Sequence, residues 1–372
     1  MFKVLGLPRR IAVFPIAVAL AAGSLGAVGV SAAVAAGEVY TLTNGAAGNG
    51  VKVFSRAGDG SLAAKGEFAT GGTGTGTGLG NQGALALEGR FLFAVNPGSD
   101  SISSFRVRAD QLELIDTHPS GGDQPISITA DDGLLYVLNA GGAGSISGHT
   151  FSRDGALSPL AGSTRPLSGD GVGPAQVSFD PDGERLIVTE KNTNLIDTYD
   201  VDDDTGLASG PTAHPSAGQT PFGFGFDKRE RLIVSEAFGG SPDASAVSSY
   251  ELENGALDPI TASAPTTETA ACWIVVTENG RFTYTTNTGS ASISGYRIGH
   301  SGELGLLDAD GRTGVTGPAP IDMALSRGSR FLYSLNSGDG SISGFRVEAD
   351  GSLAAIGGAA GLPSSSTGLV AK

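Results

Sequence analysis

Apolar residues along this chain come in short runs that often alternate with polar residues, and Gly, Asp or Asn follows most runs. Short alternating runs separated by turn residues are typical of β-strands rather than of helices. One run has a recognisable signature, Ser-Ile-Ser-x-Phe/Tyr, at 101–105, 292–296 and 341–345. Weaker copies end at residues 54, 149, 199 and 250. The pattern therefore predicts an all-β repeat protein.

The spacing of the repeat indicates the kind of repeat protein. The seven copies end at residues 54, 105, 149, 199, 250, 296 and 345, so the period is 44 to 51 residues. A period near 50 that is built of short strands is typical of β-propeller blades. One unit divides into an inner strand, a turn, a second strand, a third strand, a second turn and an outer strand, beginning at residues 125, 131, 134, 145, 154 and 156.

The two ends of the repeat region complement each other. The first unit begins with a second strand, Val39–Leu42, and the chain finishes with an inner-type strand, Gly368–Ala371. Pairing these two would complete one blade and remove exposed sheet edges. Inner strands are then expected near residues 84, 127, 177, 224, 274, 323 and 369. We predict a seven-bladed β-propeller of four-stranded antiparallel blades; two packed sandwiches would explain neither the period nor the ends.

The first 36 residues differ from the rest. Lys3, Arg9 and Arg10 precede an apolar run from Ile11 to about Val30, and Ala33-Val34-Ala35 fits the cleavage pattern of a secretory signal. The alternative is an uncleaved anchor, since the run approaches the length of a membrane span. We expect a signal peptide over 1–36, a propeller over 37–372, and a secreted or periplasmic protein.

The net charge limits which partners the chain can bind, and the cysteine content limits its disulfides. Removing residues 1–36 removes three of the 23 basic residues and none of the 38 acidic ones, which leaves a net charge of −18. Such a chain repels nucleic acid and anionic lipid. The single cysteine, Cys272, excludes an internal disulfide and lies in an apolar run, which predicts a buried thiol. We expect a monomer with no membrane span after cleavage.

Candidate chemistry lies where the second strands end. The residues there are Asn44, Asn96, Asn139, Glu190, Glu236, Asn287 and Asn336. Asn in five of seven places is best explained by turn capping. Glu190 and Glu236 replace this asparagine on two neighbouring blades. We predict them as catalytic carboxylates at the mouth of the central channel. They could serve as a general base or, with Asn139 or Asn287, bind Ca²⁺. The alternative is that Lys191, solvent and loop amides satisfy them.

Further residues on the same face could line a pocket. Gln176, Phe222 and Trp273 begin inner strands there, and we predict them as substrate-binding together with Asn139 and Asn287. The two aromatic residues could equally pack between blades. The Gly- and Thr-rich stretch from Thr70 to Gly80 is expected to be a flexible connection, because no strand–loop–helix context marks it as a phosphate site.

A family resemblance joins these observations. The stretch from Gly173 to Gly183, the blade repeat and Glu190 resemble the seven-bladed lactonase family, which includes propeller-type 6-phosphogluconolactonases and 3-carboxymuconate lactonizing enzymes. Enzymes of that family typically carry Arg and His after Gly-Pro, and a Glu at the end of the next strand. Ala175 and Gln176 occupy the Arg and His places here, and Glu190 matches. The resemblance implies a lactone hydrolase without the family's Arg-His pair.

Three functions stay open from the sequence. The first is an exported lactone hydrolase that acts on a neutral or cationic lactone. The second is a non-catalytic propeller that binds a protein, peptide or glycan on one face, favoured by the missing Arg-His pair and by a long loop from Ala237 to Ala246. The third is a structural protein of the cell envelope.

Overall fold

Strands dominate the computed structural model, which describes residues 36–109, 111–253 and 255–372. The predicted signal segment, residues 1–36, lies outside these ranges except for Ala36. Within them the helical elements are two 3₁₀ turns, Phe238–Gly240 and Arg327–Ser329. In this part of the chain no helix is long and apolar enough to cross a membrane.

Thirty strands follow one another along the described residues. The first twelve are β1 (Gly37–Leu42), β2 (Gly50–Arg56), β3 (Leu62–Ala69), β4 (Leu85–Glu88), β5 (Phe91–Asn96), β6 (Ser101–Val107), β7 (Leu112–Pro119), β8 (Pro125–Asp131), β9 (Leu134–Asn139), β10 (Ser145–Phe151), β11 (Leu157–Pro159) and β12 (Arg165–Pro166). The next eight are β13 (Pro174–Phe179), β14 (Arg185–Glu190), β15 (Leu195–Val201), β16 (Ala208–Pro215), β17 (Pro221–Phe226), β18 (Leu232–Glu236), β19 (Ala246–Glu253) and β20 (Ala256–Pro265). The last ten are β21 (Ala271–Val276), β22 (Phe282–Asn287), β23 (Ser292–Ile298), β24 (Leu304–Leu306), β25 (Gly314–Val315), β26 (Pro320–Leu325), β27 (Phe331–Asn336), β28 (Ser341–Val347), β29 (Leu353–Ala360) and β30 (Thr367–Ala371).

The strands form seven antiparallel sheets, which are the blades of the propeller. Blades 1 to 6 consist of β4–β7, β8–β12, β13–β16, β17–β20, β21–β25 and β26–β29, and blade 7 joins β30 to β1–β3. This confirms the predicted seven-bladed fold. In blades 2 and 5 the outer position is divided between two short strands, because β11 and β12 both pair with β10, and β24 and β25 both pair with β23.

Blade 7 closes the ring. Strand β30 pairs with β1, with Val39 opposite Ala371 and Tyr40 opposite Val370. The amide of Lys372 also donates to the carbonyl of Glu38 at 2.8 Å. The first and last strands of the propeller thus lie in one sheet, which confirms the closure predicted from the ends of the repeat.

In several blades the last position of the repeat contacts the preceding blade. All seven side chains there are buried: Phe54, Phe105, His149, Tyr199, Tyr250, Tyr296 and Phe345. The hydroxyl of Tyr199 donates to the carbonyl of Pro166 in blade 2 at 2.9 Å, and that of Tyr296 donates to the carbonyl of Ala264 in blade 4 at 3.0 Å. In blade 2, His149 Nε2 lies 3.0 Å from the carbonyl oxygen of Pro119 in blade 1. His149 thus makes the polar contact with the preceding blade that Tyr199 and Tyr296 make in theirs.

Candidate functional site

In most blades a side chain of the third strand holds the residue that ends the second strand. In four blades an asparagine donates through Nδ2 to a serine hydroxyl, from Asn96 to Ser103, Asn139 to Ser147, Asn287 to Ser294 and Asn336 to Ser343, at 2.8 to 2.9 Å. These amides therefore join strands rather than cap turns. Asn44 differs, since its Nδ2 donates to the carbonyl of Thr77 at 2.6 Å.

Glu190 takes the asparagine position in blade 3 and is fully buried. Its carboxylate accepts hydrogen bonds from the Ser168 amide at 3.0 Å, from the Ser168 hydroxyl, and from the Thr193 hydroxyl at 2.6 Å. Asp197 takes the place of the serine on the third strand and is also fully buried. Burial and the neighbouring Glu190 carboxylate raise the pKa of Asp197 well above its usual range, so this pair of carboxyl groups retains a proton.

Glu236 takes the same position in blade 4 and is fully buried too. It accepts from the Gly218 amide at 2.8 Å, from the Ser248 hydroxyl, and from the Ser263 hydroxyl at 2.6 Å. Burial raises the pKa of Glu236, while these donors oppose the rise. The two predicted catalytic carboxylates thus have separate sets of donors and no exposed surface. As a base, each would first have to become exposed to water.

The carboxylates offer no preformed calcium site. Hard cations bind several oxygen atoms that converge on one point, whereas the Glu190 and Glu236 oxygens accept hydrogen bonds from nearby hydroxyl and amide groups. Among residues 36–109, 111–253 and 255–372, no group of three or more His, Cys, Asp or Glu side chains is arranged to hold a metal ion.

The channel mouth is occupied by a short piece of the chain itself, Leu79–Gly83, which we call the channel segment. The indole Nε1 of Trp273 donates to the carbonyl of Asn81 at 2.7 Å, and the hydroxyl of Thr367 lies 3.1 Å from Asn81 Oδ1. Asn81 Nδ2 donates to the carbonyl of Ile126. The channel segment thereby contacts blades 2, 5 and 7. The sequence predicted only a flexible connection up to Gly80, and it did not predict an entry into the channel.

Two glutamines bridge neighbouring inner strands. Gln176 donates to the carbonyl of Phe224 at 3.2 Å and accepts from the amide of the same residue at 2.8 Å. Gln82 of the channel segment donates to the carbonyl of Ile274 at 2.8 Å and accepts from the amide of Ile274 at 3.0 Å. Gly223 leaves room for it, because a Cβ there would lie 2.0 Å from Gln82 Oε1. The sequence predicted Gln176 as substrate-binding. Its side-chain amide nitrogen and oxygen are both hydrogen-bonded to the backbone of the next blade.

Phe222, Trp273 and Lys191 meet beside the channel segment. The rings of Phe222 and Trp273 lie 4.8 Å apart between centroids, and Lys191 Nζ lies 5.0 Å from the Phe222 centroid. The same Nζ donates to the carbonyl of Gly80. Burial lowers the pKa of Lys191 to about 8. Cys272 packs in this cluster, and burial raises its pKa to about 12, so the predicted buried thiol is confirmed.

An open cavity of about 350 Å³ lies next to this cluster, between blades 2 and 3. Its lining consists of Leu79, Gln124, Ile126, Ala140, Gly142, Ala143, Gly144, Gly171, Val172, Gly173, Pro174, Lys191 and Asn192. Lys191 is the one titratable side chain of this lining. The cavity lies on the predicted face, because loops after second strands and connections into inner strands form it.

The predicted residues therefore separate into two groups. Phe222, Trp273 and Gln176 surround the channel, whereas Asn139, Asn287, Glu190 and Glu236 are held inside their blades. Lys191 was considered only as a partner for Glu190, yet it is the residue that reaches the cavity. Its place directly after a second strand was the available signal, since that position begins a loop at the channel mouth.

Comparison with known proteins agrees with this architecture. The model of the family described as lactonase, 7-bladed beta-propeller, matches three overlapping stretches, residues 40–165, 144–264 and 244–367. The chain belongs to this lactonase family. A comparison with curated proteins found no match.

Solved structures share the lactonase-family fold at low identity. A periplasmic gluconolactonase from Pseudomonas aeruginosa superposes with a TM-score of 0.71 at 20% identity, over 90% of this chain and 99% of that one. A protein from Lactobacillus plantarum gives 0.73 at 17% identity, over 91% and 100%. A candidate 6-phosphogluconolactonase from Bacteroides uniformis gives 0.71 at 18% identity, over 89% and 98%. At these identities the likeness concerns the fold alone.

Proposed function

We propose that this chain is an exported lactone hydrolase whose substrate binds in the cavity between blades 2 and 3. Family membership supports the reaction class. The observation that carries the location is Lys191, whose side chain lines an open cavity on the channel-mouth face and whose pKa is lowered by burial to about 8. A base that is tuned towards neutral pH and can reach solvent is what hydrolysis of an ester requires.

Lys191 would act on water. With this pKa, about one molecule in ten carries the neutral amine at pH 7. The amine lone pair accepts a proton from a water molecule while the oxygen of that water bonds to the lactone carbonyl carbon. The resulting ammonium then returns the proton to the ring oxygen as the ester bond breaks. Lys191 Nζ is positioned for this by the carbonyl of Gly80 and the ring of Phe222.

The charges of the site favour a neutral or cationic lactone. Ala175 is fully buried where enzymes of the family typically carry Arg, and Gln176 is bonded to Phe224 where they carry His. The described residues that line the cavity include no arginine, and they therefore provide no planar fork that binds a carboxylate or phosphate at two points. The net charge of −18 expected for residues 37–372 also repels anionic substrates.

The test is hydrolysis of a panel of neutral lactones of several ring sizes, comparing wild type with Lys191→Met. We expect kcat/KM to fall at least about 100-fold, since a general base contributes that much or more. In wild type the rate should rise with pH through about 8, because the neutral amine is the active form. Lys191→Arg keeps the charge but cannot become neutral, and it should be as inactive as Lys191→Met.

Control variants locate the base. Lys228→Met removes an exposed lysine elsewhere and should leave the rate unchanged. Glu190→Gln and Glu236→Gln test the carboxylates that the sequence predicted. Loss of activity in these two with Lys191→Met unaffected would return the base to the carboxylates. N-terminal sequencing of the exported protein tests the export step, and a start near residue 37 would support it.

A binding propeller is the second candidate. The channel segment fills the position where a propeller enzyme would have an open mouth, and this observation favours a function carried by the outer loops. The loop from Ala237 to Ala246 contains a 3₁₀ turn and a partly exposed Phe238 on that face. No turnover on any lactone, combined with binding to a glycan or peptide array that Phe238→Ser weakens, would favour this candidate.

A further inference from the structure

A second concave site lies on the opposite face of the ring, between blades 5 and 6. It has a volume of about 510 Å³ and is formed by the turns that precede the second strands and by the end of β28. Arg281, Arg330 and Arg346 line it, and Glu348 is its one acidic residue. We call it the arginine groove. Its lining carries two net positive charges in a chain that is otherwise strongly acidic.

Two of the three guanidinium groups are free to bind a ligand. Arg346 is paired with Glu348 at 2.7 Å. By contrast, the side chains of Arg281 and Arg330 make no hydrogen bond or ion pair with any described residue, and Arg281 is hydrogen-bonded through its backbone alone. Each instead lies against a phenyl ring, with CZ 5.2 Å from the centroid of Phe282 and 5.9 Å from that of Phe331. Stacking restricts a guanidinium and leaves its N–H groups available.

The corresponding groove between blades 1 and 2 shows that the fold does not require this charge. It has a similar volume, about 500 Å³, and also contains an arginine beside a phenylalanine, Arg90 and Phe91. There, however, Glu88 and Asp132 balance Arg90 and Arg153. Arg90 also donates to the carbonyl of Arg153 at 2.5 Å. Only the arginine groove, of these two, combines free guanidinium groups with a net positive lining.

We propose that the arginine groove binds a small molecule with two anionic groups, each a carboxylate or a phosphate. Each guanidinium presents parallel N–H donors that match the two oxygens of such a group. Two free arginines can therefore hold two anionic groups, one each. Thr277, Asn279 and Ser329 add polar groups to the same lining. This site is separate from the cavity at Lys191, so its test does not depend on the lactone reaction.

Isothermal titration with pyrophosphate and with succinate, at constant ionic strength set by sodium chloride, tests the proposal. Wild type should bind at least one of them with a dissociation constant below about 1 mM. Arg281→Gln and Arg330→Gln should each weaken binding about tenfold or more, which is typical of a lost charge-assisted hydrogen bond. Arg281→Lys and Arg330→Lys should also weaken binding, by a smaller factor, because lysine keeps the charge but loses the fork.

Arg90→Gln is the matched control, since it removes a stacked arginine from the balanced groove. It should leave binding unchanged. Equal losses in Arg90→Gln and Arg281→Gln would show a general charge effect and overturn the proposal, as would no heat of binding up to several millimolar. If a glutamine variant melts at lower temperature, the lysine variants keep the test valid, because they preserve the charge and the alkyl stem over the ring.

Discussion

At the scale of single residues, blade 3 differs from the other blades in one buried pair. Where four blades join an asparagine to a serine, blade 3 places Glu190 beside Asp197. Two buried carboxyl groups that lie side by side are stable together only when they share a proton. Burial and the Glu190 carboxylate raise the pKa of Asp197, so its proton is retained at pH values where an exposed aspartate has lost it.

The raised pKa of Asp197 predicts a pH-dependent stability. Because the folded-state pKa lies above the unfolded-state value, the contribution of this pair is complete below about pH 4 and is lost as the pH rises through the folded-state pKa. Asp197→Asn should therefore melt close to wild type at pH 5 and about 2–4 °C above it at pH 9. Thermal unfolding at both pH values measures this.

Asp200→Asn provides the control for Asp197→Asn. It removes the same charge from the same strand, but Asp200 is exposed and pairs with Arg185 at 3.1 Å. It should show no gain at pH 9. A pH profile of Asp197→Asn that is parallel to wild type would contradict the proton-sharing pair.

At the scale of strands, side chains at the beginning of the inner strands connect each blade to the next. Ser127 accepts from the Val177 amide at 3.1 Å, and Gln176 binds both backbone groups of Phe224. Blade 4 has Gly223 at this place, and Gln82 of the channel segment supplies the missing bridge to Ile274. The channel segment is therefore part of the ring and completes its inter-blade bonding.

Removing the hydrogen bonds between Gln82 and Ile274 should destabilise the ring. Gln82→Ala leaves the amide and the carbonyl of Ile274 without their partner, and unpaired buried backbone groups cost about 1–3 kcal/mol each. We expect a loss of about 2–3 kcal/mol in the free energy of unfolding, measured by denaturant titration, and a similar loss for Gln176→Ala. Gln111→Ala, at an exposed position, should change it by less than about 0.5 kcal/mol. If Gln82→Ala matches Gln111→Ala, the bridge does not contribute to stability.

At the scale of the whole molecule, one strand decides whether the ring closes. Without β30, the edge of β1 would lose its partner, and the inner position of blade 7 would be empty. An open propeller exposes both a sheet edge and the flanks of two blades. Closure is thus a property of the complete chain and of no single blade.

Deleting residues 368–372 should lower the melting temperature by more than about 10 °C, because the missing strand removes a ladder and the packing of blade 7 at once. Adding a synthetic peptide of residues 366–372 should restore part of the loss by pairing with β1. A scrambled peptide of the same composition is the control. Equal melting of the shortened and the full chain would contradict closure by β30.

The sequence by itself determined the repeat, the number of blades and the closure. These depend on patterns that recur along the chain: turn residues, the alternation of apolar and polar residues, and the buried Phe, Tyr or His that ends each copy of the repeat. The same repetition also indicated which face would carry the ends of the second strands. Glu190 and Glu236 were recognised as departures, but a pattern does not show whether a carboxylate faces solvent or its own hydroxyl donors.

Only the tertiary structure decided what occupies the channel and which residue reaches the cavity. Gln82 and Ile274 are far apart in sequence, and their bond depends on the absence of a side chain at Gly223. Lys191 acquires its lowered pKa from burial beside Phe222 and Gly80, residues of blade 4 and of the channel segment. Local patterns specify strands and turns through short-range contacts, whereas a site made of several blades depends on distances that exist only once the ring has closed.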